Sequence, residues 1–134
     1  MSRIITPGTQ SFAKLRINNY FYIDKTKFIK YCWHDGIDVT LITRLRCFGK
    51  TLILDTVKTF FLPEFSGRDD IFAGLDIWKD NEIRRFQCRI PVVFISFAKI
   101  NNTCEGLVSR IKASLANIYN EFFKFIDLNI ISQT

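Results

Sequence analysis

One run of sequence limits the fold of this chain more than any other: an apolar, β-branched segment leads into a basic loop and then into a helical pattern. The run VTLIT at residues 39 to 43 is typical of a strand buried on both faces of a parallel sheet. Beyond the loop, apolar residues recur at helical spacing, at Ile53, Val57, Phe60 and Phe61. Pro63 follows where such a helix should already have ended. The order of strand, loop and helix over residues 38 to 61 predicts an α/β fold.

The loop ends in the three residues that close a phosphate-binding P-loop, Gly49, Lys50 and Thr51. The full pattern is G-x-x-x-x-G-K-[ST], and its first position is occupied here by Arg44. In such a loop, backbone N–H groups and the positive end of the following helix hold phosphate oxygens. Lys50 would reach the β and γ phosphates, and the Thr51 hydroxyl would bind Mg²⁺. The residues alone leave open a phosphate site or an ordinary basic turn.

The rest of the chain predicts a single domain with one more strand and further helices. Asp24 is suited to cap a helix that runs to Trp33. Residues 62 to 90 are polar and broken, which indicates an insertion with short helices. Residues 91 to 97 form an apolar run of strand length. Residues 103 to 126 carry one apolar stripe at helical spacing, which we expect to face the core.

Charge and cysteine content narrow the class of protein without choosing a ligand. The formal net charge of +6 is compatible with phosphate ligands, nucleic acid or an acidic partner. The four cysteines form no C-x-x-C pair, so we expect reduced thiols and no structural zinc. No apolar run is long enough for a signal peptide or a membrane span. These features predict a cytoplasmic protein without a membrane partner.

The region around the loop resembles the predicted AAA-ATPase-like family of P-loop proteins. Members of that family carry the loop R-P-R-R-F-G-K-[ST], in which arginine at the position of Arg44 is normal. The resemblance continues upstream, where residues 7 to 12 and 19 to 26 are similar to the N-terminal signature of the family. It continues downstream at residues 72 to 75 and 91 to 97. Leu45 and Cys47 replace the proline and the second arginine of the family, which lowers the stiffness and the charge of the loop.

This resemblance implies a partial P-loop NTPase fold, with parallel strands flanked by helices and truncated before the Walker B strand. It implies ATP and Mg²⁺ as ligands, with the metal held through the Thr51 hydroxyl. Family members often continue into a domain similar to PD-(D/E)XK nucleases. The nucleotide-binding residues that it implies are Arg44, Leu45, Arg46, Cys47, Phe48, Gly49, Lys50 and Thr51.

We therefore expect an ATP-binding domain with weak or no hydrolysis by this chain alone. Phosphoryl transfer depends on positioned Mg²⁺ and an oriented water, and the sequence has no recognisable Walker B element to organise them. Catalytic residues are accordingly not assigned. Two alternatives stay open: a basic nucleic-acid-binding module, and a non-functional truncated remnant of a longer ATPase.

Overall fold

The computed structural model describes residues 4–43, 49–95 and 104–131. The chain divides into two compact units, Met1–Ile90 and Pro91–Thr134. In the described ranges the α-helices are α1 (Phe12–Ile17), α2 (Lys27–His34), α3 (Lys50–Phe61), α4 (Asn81–Arg84) and α5 (Cys104–Ile131). Three short 3₁₀ helices join α3 to α4, at Pro63–Phe65, Asp69–Ile71 and Asp76–Lys79.

The predicted α/β fold with parallel strands is wrong for the part of the chain that the structure describes, because that part contains helices and no strand. Residues 39 to 43 and 91 to 95, which were expected to form strands, have no regular secondary structure. The side chains of Val39 and Leu41 are 85% and 83% exposed. An apolar run reports only a tendency to be buried, whereas a strand also needs a neighbouring strand for its backbone hydrogen bonds. Residues 96 and 97 of the second predicted strand lie outside the described residues.

Helix α3 lies where the apolar spacing after Thr51 predicts a helix. Ile53, Phe60 and Phe61 are buried on its inner face. Thr56 and Thr59 are also buried there, and their hydroxyls donate to the carbonyls of residues 52 and 55, each at 2.7 Å. Because each buried hydroxyl is satisfied within its own helix, the inner face can carry threonine without an unpaired polar group.

Aromatic rings form the centre of the first unit. Phe12 of α1, Phe60 of α3 and Phe72 are fully buried. The ring of Phe72 lies 5.1 Å from that of Phe12 and 5.2 Å from that of Phe60 between centroids. Residues 62 to 90 also supply the buried Ile77 and Ile83, so this predicted insertion is part of the core. Burial of large apolar side chains is the main stabilising term for such a unit.

Asp24 links the segment before α2 to the 3₁₀ helix Asp76–Lys79 by hydrogen bonds. It does not cap a helix that begins beside it. Its carboxylate accepts the backbone N–H of Thr26 at 2.8 Å and that of Asp76 at 2.7 Å. The Thr26 hydroxyl donates to the same carboxylate at 2.6 Å and accepts the N–H of Ile77 at 3.1 Å. Burial alone would raise the pKa of Asp24, but these hydrogen bonds outweigh it and lower the pKa below its ordinary value.

The second unit contains α5, which covers the helix predicted at residues 103 to 126 from Cys104 onward and extends to Ile131. Residue 103 lies outside the described residues. The apolar stripe of this helix does not reach a core within the described residues, since Ile111 is 38% and Leu115 is 52% exposed. No helix in the described ranges is both long and apolar enough to cross a membrane.

Candidate nucleotide-binding site

Helix α3 begins directly after Gly49, which has a left-handed backbone conformation with φ 75° and ψ 23°. The Gly49 carbonyl accepts the N–H of Ile53 at 2.9 Å, so the first helical turn closes on this residue. Residues with a side chain rarely adopt this φ, whereas glycine does so without steric cost. The turn therefore directs the chain into α3 with the positive end of the helix dipole at Lys50 and Thr51.

A cavity of about 630 Å³ opens at this end of α3. Among the described residues, its lining comes from three stretches of chain that are separate in sequence, at residues 5 to 10, 21 to 25 and 49 to 52, together with Leu15. The volume falls within the range of small-molecule binding sites. All of these residues belong to the first unit, so the cavity is formed within one compact body.

Two lysines carry the formal charge of the described part of the cavity lining. Lys50 is the first residue of α3, and Lys25 comes from the turn before α2. A Cβ atom added to Gly49 would lie 3.1 Å from Lys25 Nζ, so the Lys25 ammonium group adjoins the start of α3. No carboxylate is among the described residues that line the cavity. The charge and the helix dipole both favour an anionic ligand.

Polar groups without charge complete the lining. The Thr6 hydroxyl oxygen is buried and has no hydrogen-bond partner within the part of the chain that the structure describes. Thr9, Gln10 and the Thr51 hydroxyl add further donors and acceptors. Burial raises the pKa of Tyr22, which also lines the cavity, so this hydroxyl is neutral near pH 7.

The structure places three of the predicted nucleotide-binding residues at this cavity: Gly49, Lys50 and Thr51. The remaining five, Arg44, Leu45, Arg46, Cys47 and Phe48, lie outside the described residues. Lys25 and the segment at residues 5 to 10 were not predicted as site residues, although both lie in or beside the stretches that carry the N-terminal resemblance. The sequence therefore marks these residues as part of the family resemblance, but it does not indicate that they line a binding site.

A second group of possible ligand atoms lies away from the cavity. His34, Asp80 and Glu82 bring ligand atoms within 4.8 Å of one another. Hydrogen bonds from His34 and Lys30 lower the pKa of Asp80, and Lys30 Nζ lies 3.0 Å from its carboxylate. Asp80 also caps α4 by accepting the N–H of Glu82 at 3.1 Å. Because a lysine and a helix cap already use this carboxylate, the cluster has a structural explanation.

The sequence matches the model of the family described as Predicted AAA-ATPase over residues 6–130. This chain belongs to that predicted AAA-ATPase family. The match includes all three stretches that line the cavity, apart from Ile5. The N-terminal segment and the turn before α2 are thus parts of the AAA-ATPase-like domain as much as the start of α3.

A related protein of Azotobacter chroococcum mcd 1, named "Uncharacterized protein in vnfD 5'region", is 39% identical to this AAA-ATPase-like chain over 99 residues. The alignment covers 72% of this chain and 18% of the relative. The chain therefore corresponds to a small part of the relative's length. No solved structure gives a significant match.

Proposed function

We propose that this chain binds ATP through its phosphates, in the cavity at the N-terminal end of α3. The observation that carries the proposal is the position of Lys50 and Thr51 on the first turn of α3, where both line a cavity of about 630 Å³. A lysine and a hydroxyl residue at a helix N-terminus after a left-handed glycine are the groups that hold phosphates and Mg²⁺ in P-loop proteins. Membership of the predicted AAA-ATPase family supports this assignment.

In this proposal, Lys50 neutralises the β and γ phosphates and the backbone N–H groups at the start of α3 bind their oxygens. The loop residues Arg44 to Phe48 precede Gly49 directly in the sequence and complete the proposed binding segment. The Thr51 hydroxyl is suited to Mg²⁺, which commonly keeps several waters and takes its other ligands from substrate phosphates. Mg²⁺ would supply further neutralisation of phosphate charge when bound.

Weak or absent hydrolysis is part of the proposal. The described lining of the cavity holds no carboxylate that could organise Mg²⁺ or orient an attacking water. We therefore expect this chain to bind ATP but to hydrolyse it slowly or not at all. It should retain ATP without turning it over at rates of about 1 s⁻¹ or more, the rates that complete phosphoryl-transfer enzymes reach.

Replacing Lys50 with alanine tests the proposed binding. We expect the affinity for a fluorescent ATP analogue to fall by about ten-fold or more, because a charge-assisted contact contributes roughly 1.5 to 3 kcal/mol. Titration by fluorescence anisotropy in the presence of Mg²⁺ measures the change. Lys14→Ala is the matched control, since Lys14 is exposed on α1 and does not line the cavity. Undiminished binding by Lys50→Ala would contradict the proposal.

The same kind of titration, carried out with an oligonucleotide, distinguishes nucleic-acid binding from ATP binding. Binding of a nucleic acid would fall steeply with salt and would be insensitive to Lys50 alone, because many dispersed phosphate contacts would carry it. A preparation that bound oligonucleotides in this way, and bound no ATP, would replace the ATP proposal with the nucleic-acid one.

A further inference from the structure

Lys25 reaches the start of α3 from a different part of the chain. Its ammonium nitrogen lies 3.1 Å from the position that a Cβ atom on Gly49 would occupy. Both residues line the cavity. An anion held at the N-terminus of α3 would thus sit between the first turn of the helix and this ammonium group.

The backbone on each side of Lys25 is held in place. Asp24 bonds the backbone N–H groups of Thr26 and Asp76, and Thr26 is fully buried. The Lys25 backbone N–H also donates to the side-chain hydroxyl of Tyr22. Because the backbone of this lysine is already ordered, the entropy lost when its side chain contacts a ligand is confined to the side chain itself.

The charges in the described lining of the cavity have a single sign. Among the described lining residues, the charged side chains are those of Lys25 and Lys50, and both are positive, so the matching ligand is a polyanion.

We propose that Lys25 is a second phosphate-binding residue of this cavity and makes it select nucleoside triphosphates over nucleotides with fewer phosphates. This inference rests on the proposed ATP binding. It adds the residue that makes the cavity prefer nucleotides with more phosphate groups. Lys50 acts from the first turn of α3 and Lys25 from the turn before α2. A nucleoside triphosphate carries more negative charge than a monophosphate, so it gains more from two positive side chains in one cavity.

The test measures affinities for ATP, inorganic triphosphate and AMP by isothermal titration calorimetry, with the whole chain and with Lys25→Gln. We expect Lys25→Gln to weaken ATP and inorganic triphosphate by about ten-fold, and AMP by less than about two-fold. Lys25→Arg keeps the charge and should restore most of the preference for ATP. Lys27→Gln is the matched control, since it makes the same charge change two residues away on a side chain that is 62% exposed and outside the cavity.

Three outcomes would overturn the inference, and each is distinguishable. Equal loss of ATP and AMP affinity in Lys25→Gln, with a lowered melting temperature, would make Lys25 a structural residue. Unchanged ATP affinity in Lys25→Gln alongside its loss in Lys50→Ala would overturn the role of Lys25 and leave the proposed function standing. Absence of ATP binding by the unmodified chain would overturn the proposed function itself, and the inference with it.

Discussion

At the scale of single residues, Gly49 is the position where the backbone and the proposed site depend on each other most directly. Its φ of 75° is unfavourable for any residue with a side chain, and a Cβ there would lie 3.1 Å from Lys25 Nζ. Gly74 has a similar φ of 79°, but a Cβ there would meet nothing within 4 Å. Comparing alanine substitutions at the two glycines therefore separates the effect of backbone strain from the effect of a methyl group in the cavity.

We expect Gly49→Ala and Gly74→Ala to lose a similar stability, about 1 kcal/mol each, because both force alanine into the left-handed region. Only Gly49→Ala should also weaken ATP binding, since its methyl group would lie 3.1 Å from Lys25 Nζ and force that ammonium group to shift slightly. Chemical denaturation measures the first effect and fluorescence anisotropy the second. Equal ATP affinity in the two variants would show that the space around Gly49 does not matter for binding.

At the scale of elements, Asp24 is a hydrogen-bond acceptor that serves a distant segment and not the first turn of the helix predicted beside it. The sequence predicts that Asp24 caps a helix starting beside it, yet α2 begins at Lys27 and Asp24 instead bonds Asp76. Local pattern identifies a residue that accepts N–H groups, but it does not say which N–H groups the folded chain brings near. The hydrogen bond from the 3₁₀ helix Asp76–Lys79 to Asp24 also orders the backbone next to Lys25.

The lowered pKa of Asp24 makes the stability of the folded chain depend on pH, and this contribution decreases as the pH falls. Folding favours its carboxylate form, so this stabilisation is fully present above the ordinary carboxyl pKa of about 4 and is lost as pH falls through the lower folded value. We expect Asp24→Asn to be less stable than the unmodified chain by about 1 kcal/mol at pH 7, a modest value because the carboxylate is only half-buried.

The difference between the two proteins should narrow as the pH falls below the ordinary carboxyl pKa of about 4 and Asp24 becomes protonated. Urea denaturation from about pH 7 down to about pH 2 measures it, and Asp70→Asn, at an exposed carboxylate paired with Arg68, is a suitable comparison. A stability difference that stayed constant across this range would mean that the charge of Asp24 does not contribute through these hydrogen bonds.

At the scale of the whole molecule, the sequence is most informative where structure depends on near neighbours. Helices α3 and α5 lie where apolar spacing predicts helices, because helical hydrogen bonds join residues four apart. The strand prediction at residues 39 to 43 is wrong for the described chain, because a strand depends on a distant partner that an apolar run cannot specify. Lys25 was missed as a site residue for the same reason, since only tertiary packing brings it beside Gly49.

The division of the chain yields a last prediction, about where binding resides. The buried apolar side chains of the described chain run from Phe12 to Ile83, and the residues that line the cavity run from Ile5 to Leu52. Both sets lie within the unit Met1–Ile90, so this unit contains its own core and the proposed site.

We expect a fragment of residues 1 to 90 to unfold cooperatively and to bind ATP within about three-fold of the full chain, with the same dependence on Lys50. Circular dichroism melting and fluorescence anisotropy measure the two properties. If the fragment folds but does not bind, the second unit must contribute to the site, and if it does not fold, the core of the first unit is insufficient alone.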